Sequence, residues 1–282
     1  MTTKIVPYNE DRGNAIRSVL FIFEFVEPLL PHAMADFEPG GAMHVPLKDK
    51  LPKFAPQQQM VMTFAPNMMV GTQQFQIPTH MTACTFERFD RKGDVALGLN
   101  IQPTLFTIAC GDYTRWNQVH DQAIEILNIL SPWLQQNAIR TNSFTLQYHD
   151  EFNVTFGAGS DRSLIDLLSA ESPYMARNVV NAHEEFHSHH GYFKQPDCQI
   201  PGRLLNNINV NANLLGAGTV VQIQCVHKYH AASSISIIDQ DGSFSKELGI
   251  AFEYLHQENK QIVGALLTEP VKKQIAFDSG RV

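Results

Sequence analysis

The chain has 282 residues, of which 44% are hydrophobic and 17% are charged, and its formal net charge is −7. This composition predicts a globular protein with a substantial core and argues against a long disordered chain. The acidic balance, without a run of Lys and Arg, disfavours nucleic-acid binding. No apolar stretch approaches the roughly 20 residues of a membrane helix, and Met1–Arg12 lacks the apolar core of a signal peptide. We therefore expect a cytoplasmic protein that does not insert into a membrane.

The first predicted element is a strand from Ile16 to Val26, which is rich in β-branched and aromatic residues. Residues 27–57 contain six prolines, which predict an irregular surface segment without regular sheet. A short strand is predicted at Met60–Phe64. The methionine-rich stretch Asn67–Val70 after it either fills gaps in the core or forms a pliable binding surface.

A β-hairpin is predicted next. Its strands are Thr82–Phe89 and Val95–Ile101, and the charged, glycine-containing segment Asp90–Asp94 has the character of a hairpin turn. Leu105–Cys110 is a third predicted strand, which ends at Gly111. These elements predict an antiparallel meander.

The most strongly patterned part of the chain is Tyr113–Phe152. Its first part has apolar residues at three- and four-residue steps, which predicts a long amphipathic helix with Asp112 as the N-cap. Pro132 lies within the pattern, so we expect the last turn to be kinked or to end there. Phe144–His149 then alternates apolar and polar residues, as a strand with one buried face does.

Gly157–Ser160 predicts a break between two parts of the chain, and a short helix is predicted at about Asp161–Ala170. The glycines do not form a phosphate-binding loop, because the G-K-[ST] sequence is missing. A long helix with Leu248 and Leu266 on one face follows later, and Thr268 is the predicted N-cap of a last short helix. Four strands are predicted between the short helix and the long helix of this part: Gly191–Lys194, Leu204–Leu214, Val220–Tyr229 and Ser234–Ile238.

The order of these elements predicts an α+β fold with two halves, each an antiparallel sheet packed by one long helix. The first half, residues 1–156, contains the helix that begins near Tyr113 and Trp116. The second half, residues 157–282, ends in a long helix.

One segment matches a metal-binding pattern: His183-Glu184-Glu185-Phe186-His187 has the form H-E-x-x-H. On a helix, His183 and His187 would share a face and could bind zinc, while Glu184 would activate a water molecule. A third ligand is not evident nearby, and residues 186–194 could equally form a strand. A strand would place the two histidines about 13 Å apart, too far to share an ion.

Other candidate groups have plainer interpretations. The four cysteines have no C-x-x-C spacing, so we predict free, structural thiols. Asparagines at 206, 207, 209, 211 and 213 could bond a polymer or partner strand from the outer face of a sheet, although solvation is commoner. Tyr113 and Trp116 could stack on a base or sugar, but their place in the first helical turn favours packing on the sheet. The sequence therefore nominates no catalytic residue, no cofactor-binding residue and no cofactor.

Two groups of residues resemble a sporadically distributed bacterial protein family of unknown function. The first is the Tyr113-x-x-Trp116 helix followed by a strand that contains Tyr148. That family has an Arg-Tyr-Ile-Asn strand here. This chain keeps the Tyr but has Gln147 in place of the Arg and Asp150 in place of the Asn. The second is the closing segment from Phe252 to Glu269. The resemblance implies a two-part α+β layout in a bacterial or phage setting. It implies no activity, and residues 27–57 depart from the helical segment that it implies there.

These observations lead to three hypotheses. The first is a non-enzymatic recognition or assembly protein of a bacterial accessory system, acting through a protein partner or through self-association. Mobile-element and anti-phage defence loci are examples of such systems. The second is a zinc-dependent hydrolase that uses His183, Glu184 and His187. The third is a small-ligand-binding protein with a methionine-lined pocket between helix and sheet.

Overall fold

The computed structural model describes residues 3–59, 80–157, 159, 162–180, 185–216 and 218–277. The fold is α+β, and the ten described strands form one antiparallel sheet. The strands are β1 (Lys4–Pro7), β2 (Ile16–Phe25), β3 (Lys53–Gln59), β4 (His80–Phe89), β5 (Val95–Gln102), β6 (Leu105–Cys110), β7 (Arg140–Thr155), β8 (Phe186–Lys194), β9 (Gly202–Leu215) and β10 (Gly218–Ser236).

The strand order across the sheet is β3-β4-β5-β6-β2-β7-β10-β9-β8, and β1 pairs with the end of β7. The central contact is the antiparallel pair β2 and β7, in which Phe21 lies opposite Leu146. Strands from before and after residue 157 therefore belong to the same sheet.

Two long helices, α3 (Trp116–Gln136) and α5 (Lys246–Leu266), pack on one face of this sheet. Four short helices accompany them: α1 (Pro31–Ala35), α2 (His44–Lys50), α4 (Arg177–Val180) and α6 (Glu269–Gln274). Among the described residues, no helix combines the length and the apolar character needed to cross a membrane.

The core lies between the helices and the sheet. Alternation along β2 sends Phe21 and Phe23 inward, and both rings contact Phe252 of α5 at centroid distances of 5.3 Å. Phe144 of β7 contacts the same ring at 5.4 Å. One aromatic cluster therefore joins the two central strands to the last long helix.

The proline-rich segment is not the irregular surface segment that the sequence predicted. It contains α1 and α2, and its residues Phe37 and Leu47 are fully buried. It also ends in β3, which includes Pro56. A sheet tolerates proline there because β3 is the last strand in the order, so one side of its backbone needs no partner strand.

Several boundaries also differ from the predictions. Helix α3 begins at Trp116 with Arg115 at the N-cap position, because the Asp112 carboxylate is engaged by Arg12 instead. The helix continues past Pro132 to Gln136, and its last turn is anchored where Trp133 donates a hydrogen bond to the Ala33 carbonyl (3.1 Å). Ser234–Ile238 is not a separate strand: β10 continues through an irregular register to Ser236.

The predicted helix at Asp161–Ala170 is wrong over its described part, residues 162–170, which form turns. Leu167 and Leu168 donate to the Leu164 carbonyl within this segment. Two further bonds join it to the end of α5: Ser169 donates to Leu266, and Thr268 donates to Leu167. The predicted strand Met60–Phe64 and the stretch Asn67–Val70 lie outside the described residues. The strands predicted at residues 16–26, 82–89, 95–101 and 105–110 are confirmed to within a few residues.

Candidate functional site

One face of the sheet is turned away from all the described helices. We call this surface the open face. It is formed by side chains that alternate with the buried ones along β2, β6, β7, β10, β9 and β8, and most of them are half-buried or exposed. Its members include Leu20, Ile22, Thr107, Gln147, His149, Gln222, Gln224, Val226, Asn207, Asn209, Asn211, His187 and His189.

Amide and imidazole side chains on the open face are hydrogen-bonded across strands. The Nε2 atom of His149 lies 3.0 Å from Gln224 Nε2, and Asn209 donates to Gln224 Oε1 at 3.2 Å. On the neighbouring edge, His189 contacts Asn207 at 2.9 Å, and His187 contacts Asn211. These contacts hold amide and imidazole donors and acceptors in fixed positions across four strands.

Two pairs of opposite charge lie on the same face. Arg17 contacts Glu151 at 3.0 Å, and Lys228 contacts Glu24 at 2.6 Å. Arg203 instead lies over the Phe193 ring at 4.4 Å. Phosphate recognition depends on unpaired Lys and Arg, and Arg17 and Lys228 are already paired. The asparagines 207, 209, 211 and 213 lie on this face as predicted, whereas Asn206 points inward and is fully buried.

The opposite, helix-covered side contains a cavity of about 610 Å³ between the first turn of α3 and the second half of α5. We call it the Asp150 cavity. Asp150 lies in its wall and is 5% exposed, and its Oδ2 atom has no hydrogen-bond partner among the described residues. Burial raises the pKa of this carboxyl group to about 7, because removal from water disfavours the charged form.

A chain of polar contacts lies beside Asp150. The Tyr148 hydroxyl is 2.8 Å from His256 Nδ1, and the His256 ring stacks on Trp116 at 4.4 Å. Trp116 Nε1 donates to Glu253 Oε2 at 2.5 Å. Burial lowers the pKa of His256 to about 4 and raises the pKa of Tyr148 well above its ordinary value. Both groups are therefore neutral at physiological pH, which suits fixed hydrogen bonds better than proton exchange.

A second buried polar cluster is centred on His227 of β10. Its ring contacts Asn206 Oδ1 at 2.8 Å and Asn259 Oδ1 at 3.2 Å. Asn206 also donates to Glu258, which forms an ion pair with Lys194 at 2.6 Å. Burial lowers the pKa of His227 to about 4. The residues of this cluster are hydrogen-bonded to one another between the sheet and α5. The cluster therefore fixes the position of α5 on the sheet.

The segment with the H-E-x-x-H pattern does not form one helix. Phe186 and His187 begin strand β8, and the exposed His187 contacts Asn211 of the neighbouring strand. His183 and Glu184 lie outside the described residues. Within the described part of the chain, no group of three or more His, Cys, Asp and Glu side chains could hold a metal ion.

We therefore expect purified protein to contain less than about a tenth of an equivalent of zinc and to keep its melting temperature after chelation. Elemental analysis and thermal unfolding measure both quantities. The zinc hypothesis would be supported instead if bound zinc were stoichiometric and were lost in His187→Asn but retained in His189→Asn, the same change two residues further along β8.

The residues that the sequence singled out do not form a single site, although His187 contacts Asn211. The four cysteines are free, as predicted, and burial raises the pKa of Cys84 and of Cys110 to about 12. Trp116 packs against the core as predicted and also borders the Asp150 cavity. The sequence did not nominate Asp150 as a site residue. The available signal was its place on the apolar side of β7, two residues after Tyr148.

Searches with this chain found no matching family model and no matching curated protein.

Proposed function

We propose that the protein is a non-enzymatic recognition or assembly protein that acts through protein–protein contacts on the open face of its sheet. The observation that carries this proposal is the hydrogen-bonded row of amide and imidazole side chains across β7, β10, β9 and β8. The described helices all pack on the other side of the sheet, so they leave this row accessible to a partner.

The chemistry of the open face suits a protein partner. Amide and imidazole groups can donate and accept hydrogen bonds, and the centres of protein interfaces are depleted in charged side chains. Aliphatic residues such as Leu20, Ile22 and Val226 lie beside the polar row and can exclude water from it. Side chains already ordered by cross-strand contacts lose little additional freedom on binding, which favours association.

The family resemblance supports a bacterial accessory system, such as a mobile-element or anti-phage defence locus, as the biological setting. Self-association through the open face is the form of the proposal that can be tested on the purified chain.

We also propose that the chain consists of two halves with one long helix each. The support is a recurrence in strand order: β6, β5 and β4 follow outward from β2, and β10, β9 and β8 follow outward from β7. A long helix comes directly after β6 and another comes shortly after β10. This recurrence would start the second half near Arg140, before the boundary that the sequence suggested at residue 157.

We expect Ile22→Lys to weaken self-association. Ile22 is half-buried at the centre of the open face, where it lies opposite Thr107 and Thr145. A lysine there would place an unpaired charge in the contact, which costs free energy on desolvation. Light scattering should give the wild-type chain a mass above the 31.7 kDa of the monomer, and it should give the variant the monomer mass.

The matched control is Ile250→Lys, the same change on the exposed side of α5, where Ile250 is 50% exposed. This variant should associate as the wild type does, and melting temperatures of both variants should show that they are folded. A monomeric wild type at every concentration tested, together with a pull-down from bacterial lysate that captures no partner, would contradict the proposal.

A further inference from the structure

The Asp150 cavity has the size and the lining of a small-molecule site. Its volume of about 610 Å³ lies within the range of about 300 to 1,000 Å³ that is usual for ligand pockets. Trp116, Val263 and Phe277 contribute apolar surface, and Asp150 contributes a carboxyl group at the wall formed by the sheet. Small-molecule sites typically combine such an apolar lining with a few polar groups that fix the ligand's orientation.

Asp150 is the polar group of this cavity whose bonding is incomplete. Its Oδ2 atom is buried without a hydrogen-bond partner among the described residues. The neighbouring groups are engaged: Tyr148 contacts His256, Trp116 donates to Glu253, and Asn14 donates to the Tyr113 carbonyl. A buried acceptor left unpaired is unfavourable, and more so if it is charged. A ligand that supplies a donor to this carboxyl group would reduce that cost.

The cations that border the cavity do not neutralise Asp150. Arg12 is held by Asp112. Lys260 and Arg115 also border the cavity, but neither forms an ion pair with Asp150. A positively charged donor from outside the protein would therefore meet a carboxyl group that has no counterion among the described residues.

We propose that the Asp150 cavity binds a small apolar amine, whose ammonium group donates a hydrogen bond to the Asp150 carboxyl group and whose hydrocarbon body packs against Trp116, Val263 and Phe277. An ammonium group gains both the hydrogen bond and the ion pair with the carboxylate. A neutral hydroxyl gains the hydrogen bond alone, and a carboxylate would be repelled. The site therefore prefers amines over alcohols and acids of the same shape. This site is separate from the open face and does not depend on the function proposed for it.

Phenethylamine is a suitable probe, because 2-phenylethanol and 3-phenylpropanoate have nearly the same shape without the ammonium group. Isothermal titration of the full-length protein near pH 7.5 should give phenethylamine a dissociation constant of about 1 mM or lower, and each comparison compound an affinity at least about tenfold weaker. Asp150→Asn should weaken phenethylamine binding at least about tenfold. The matched control Asp121→Asn, on the exposed side of α3, should leave binding unchanged.

The comparison of the three compounds uses the wild-type protein, so it tests the preference for an amine even if Asp150→Asn does not fold. Equal affinity for the amine and the alcohol, or failure of phenethylamine to bind, would overturn the proposal. Equal binding of phenethylamine to the wild type and to folded Asp150→Asn would also overturn it.

Discussion

Asp150→Asn should make the protein more stable than the wild type above neutral pH, by up to about 4 kcal/mol. Burial raises the pKa of Asp150 from 3.8 to about 7. The folded protein therefore binds this proton more tightly than the unfolded chain does. The advantage of the protonated carboxyl group is fully present below about pH 4 and is lost as the pH rises toward 7. Asparagine has nearly the same shape and cannot ionise, so it avoids this loss.

The groups that face Asp150 leave this expectation unchanged. Burial raises the pKa values of Tyr113, Tyr148 and the Cys225 thiol, so all three groups stay neutral. His256 and His227 act in the opposite direction: their pKa values are lowered to about 4, so they reduce stability as the pH falls below their ordinary value of 6.5. Their contribution is common to both proteins and cancels in the difference.

Urea unfolding of both proteins at about pH 4, pH 6 and pH 8 measures the difference directly. The difference should be small at the lowest pH and should grow in favour of the variant as the pH rises. Asp121→Asn, an exposed change of the same kind on α3, should show no such trend. A variant whose stability relative to the wild type does not change with pH would show that Asp150 keeps an ordinary pKa.

Phe252→Ala should lower the free energy of unfolding by about 4 kcal/mol, because it removes a fully buried ring and leaves a cavity. Phe252 of α5 contacts Phe21 and Phe23 of β2 and Phe144 of β7. Its loss therefore weakens the two central strands together. Urea unfolding followed by tryptophan fluorescence and by far-ultraviolet circular dichroism should give coincident transitions at a lower urea concentration.

The matched control for this change is Phe193→Ala, since Phe193 is 52% exposed on β8. It should cost no more than about 1 kcal/mol. If Phe252→Ala gave two separate transitions, the segments before and after residue 157 would have independent cores, contrary to the single aromatic cluster described above.

Local sequence pattern accounts for much of this fold. The β-branched and aromatic residues of Ile16–Val26 identified β2, and alternation identified the Phe144–His149 part of β7. Apolar spacing identified α3 and α5, since each of these helices buries one face. The errors came from longer-range contacts. Pro56 is tolerated because β3 lies at the edge of the sheet. Residues 162–170 form turns that are joined to the end of α5 by the backbone bonds of Leu167 and Ser169.

The candidate sites were harder to predict from the sequence than the fold was. Alternation could place Asp150 on the inward side of β7, but its missing partner depends on where α3, α5 and residues 12–15 lie in space. The asparagines of β9 were recognised as an outward-facing series, whereas their contacts with His187 and His189 depend on the β8–β9 register. The pairing of β2 with β7, which makes one sheet, has no local signal.

The pairing of β2 with β7 allows two molecules to exchange parts of their chains. A backbone cut in the connection between α3 and β7 would place the two central strands on different polypeptides, each with a bare edge of hydrogen-bonding groups. The best complement for either edge is the strand it has lost, so the fragments should reassemble. The same complementarity lets two intact molecules trade these parts, and we expect domain-swapped dimers if the connection opens at high protein concentration.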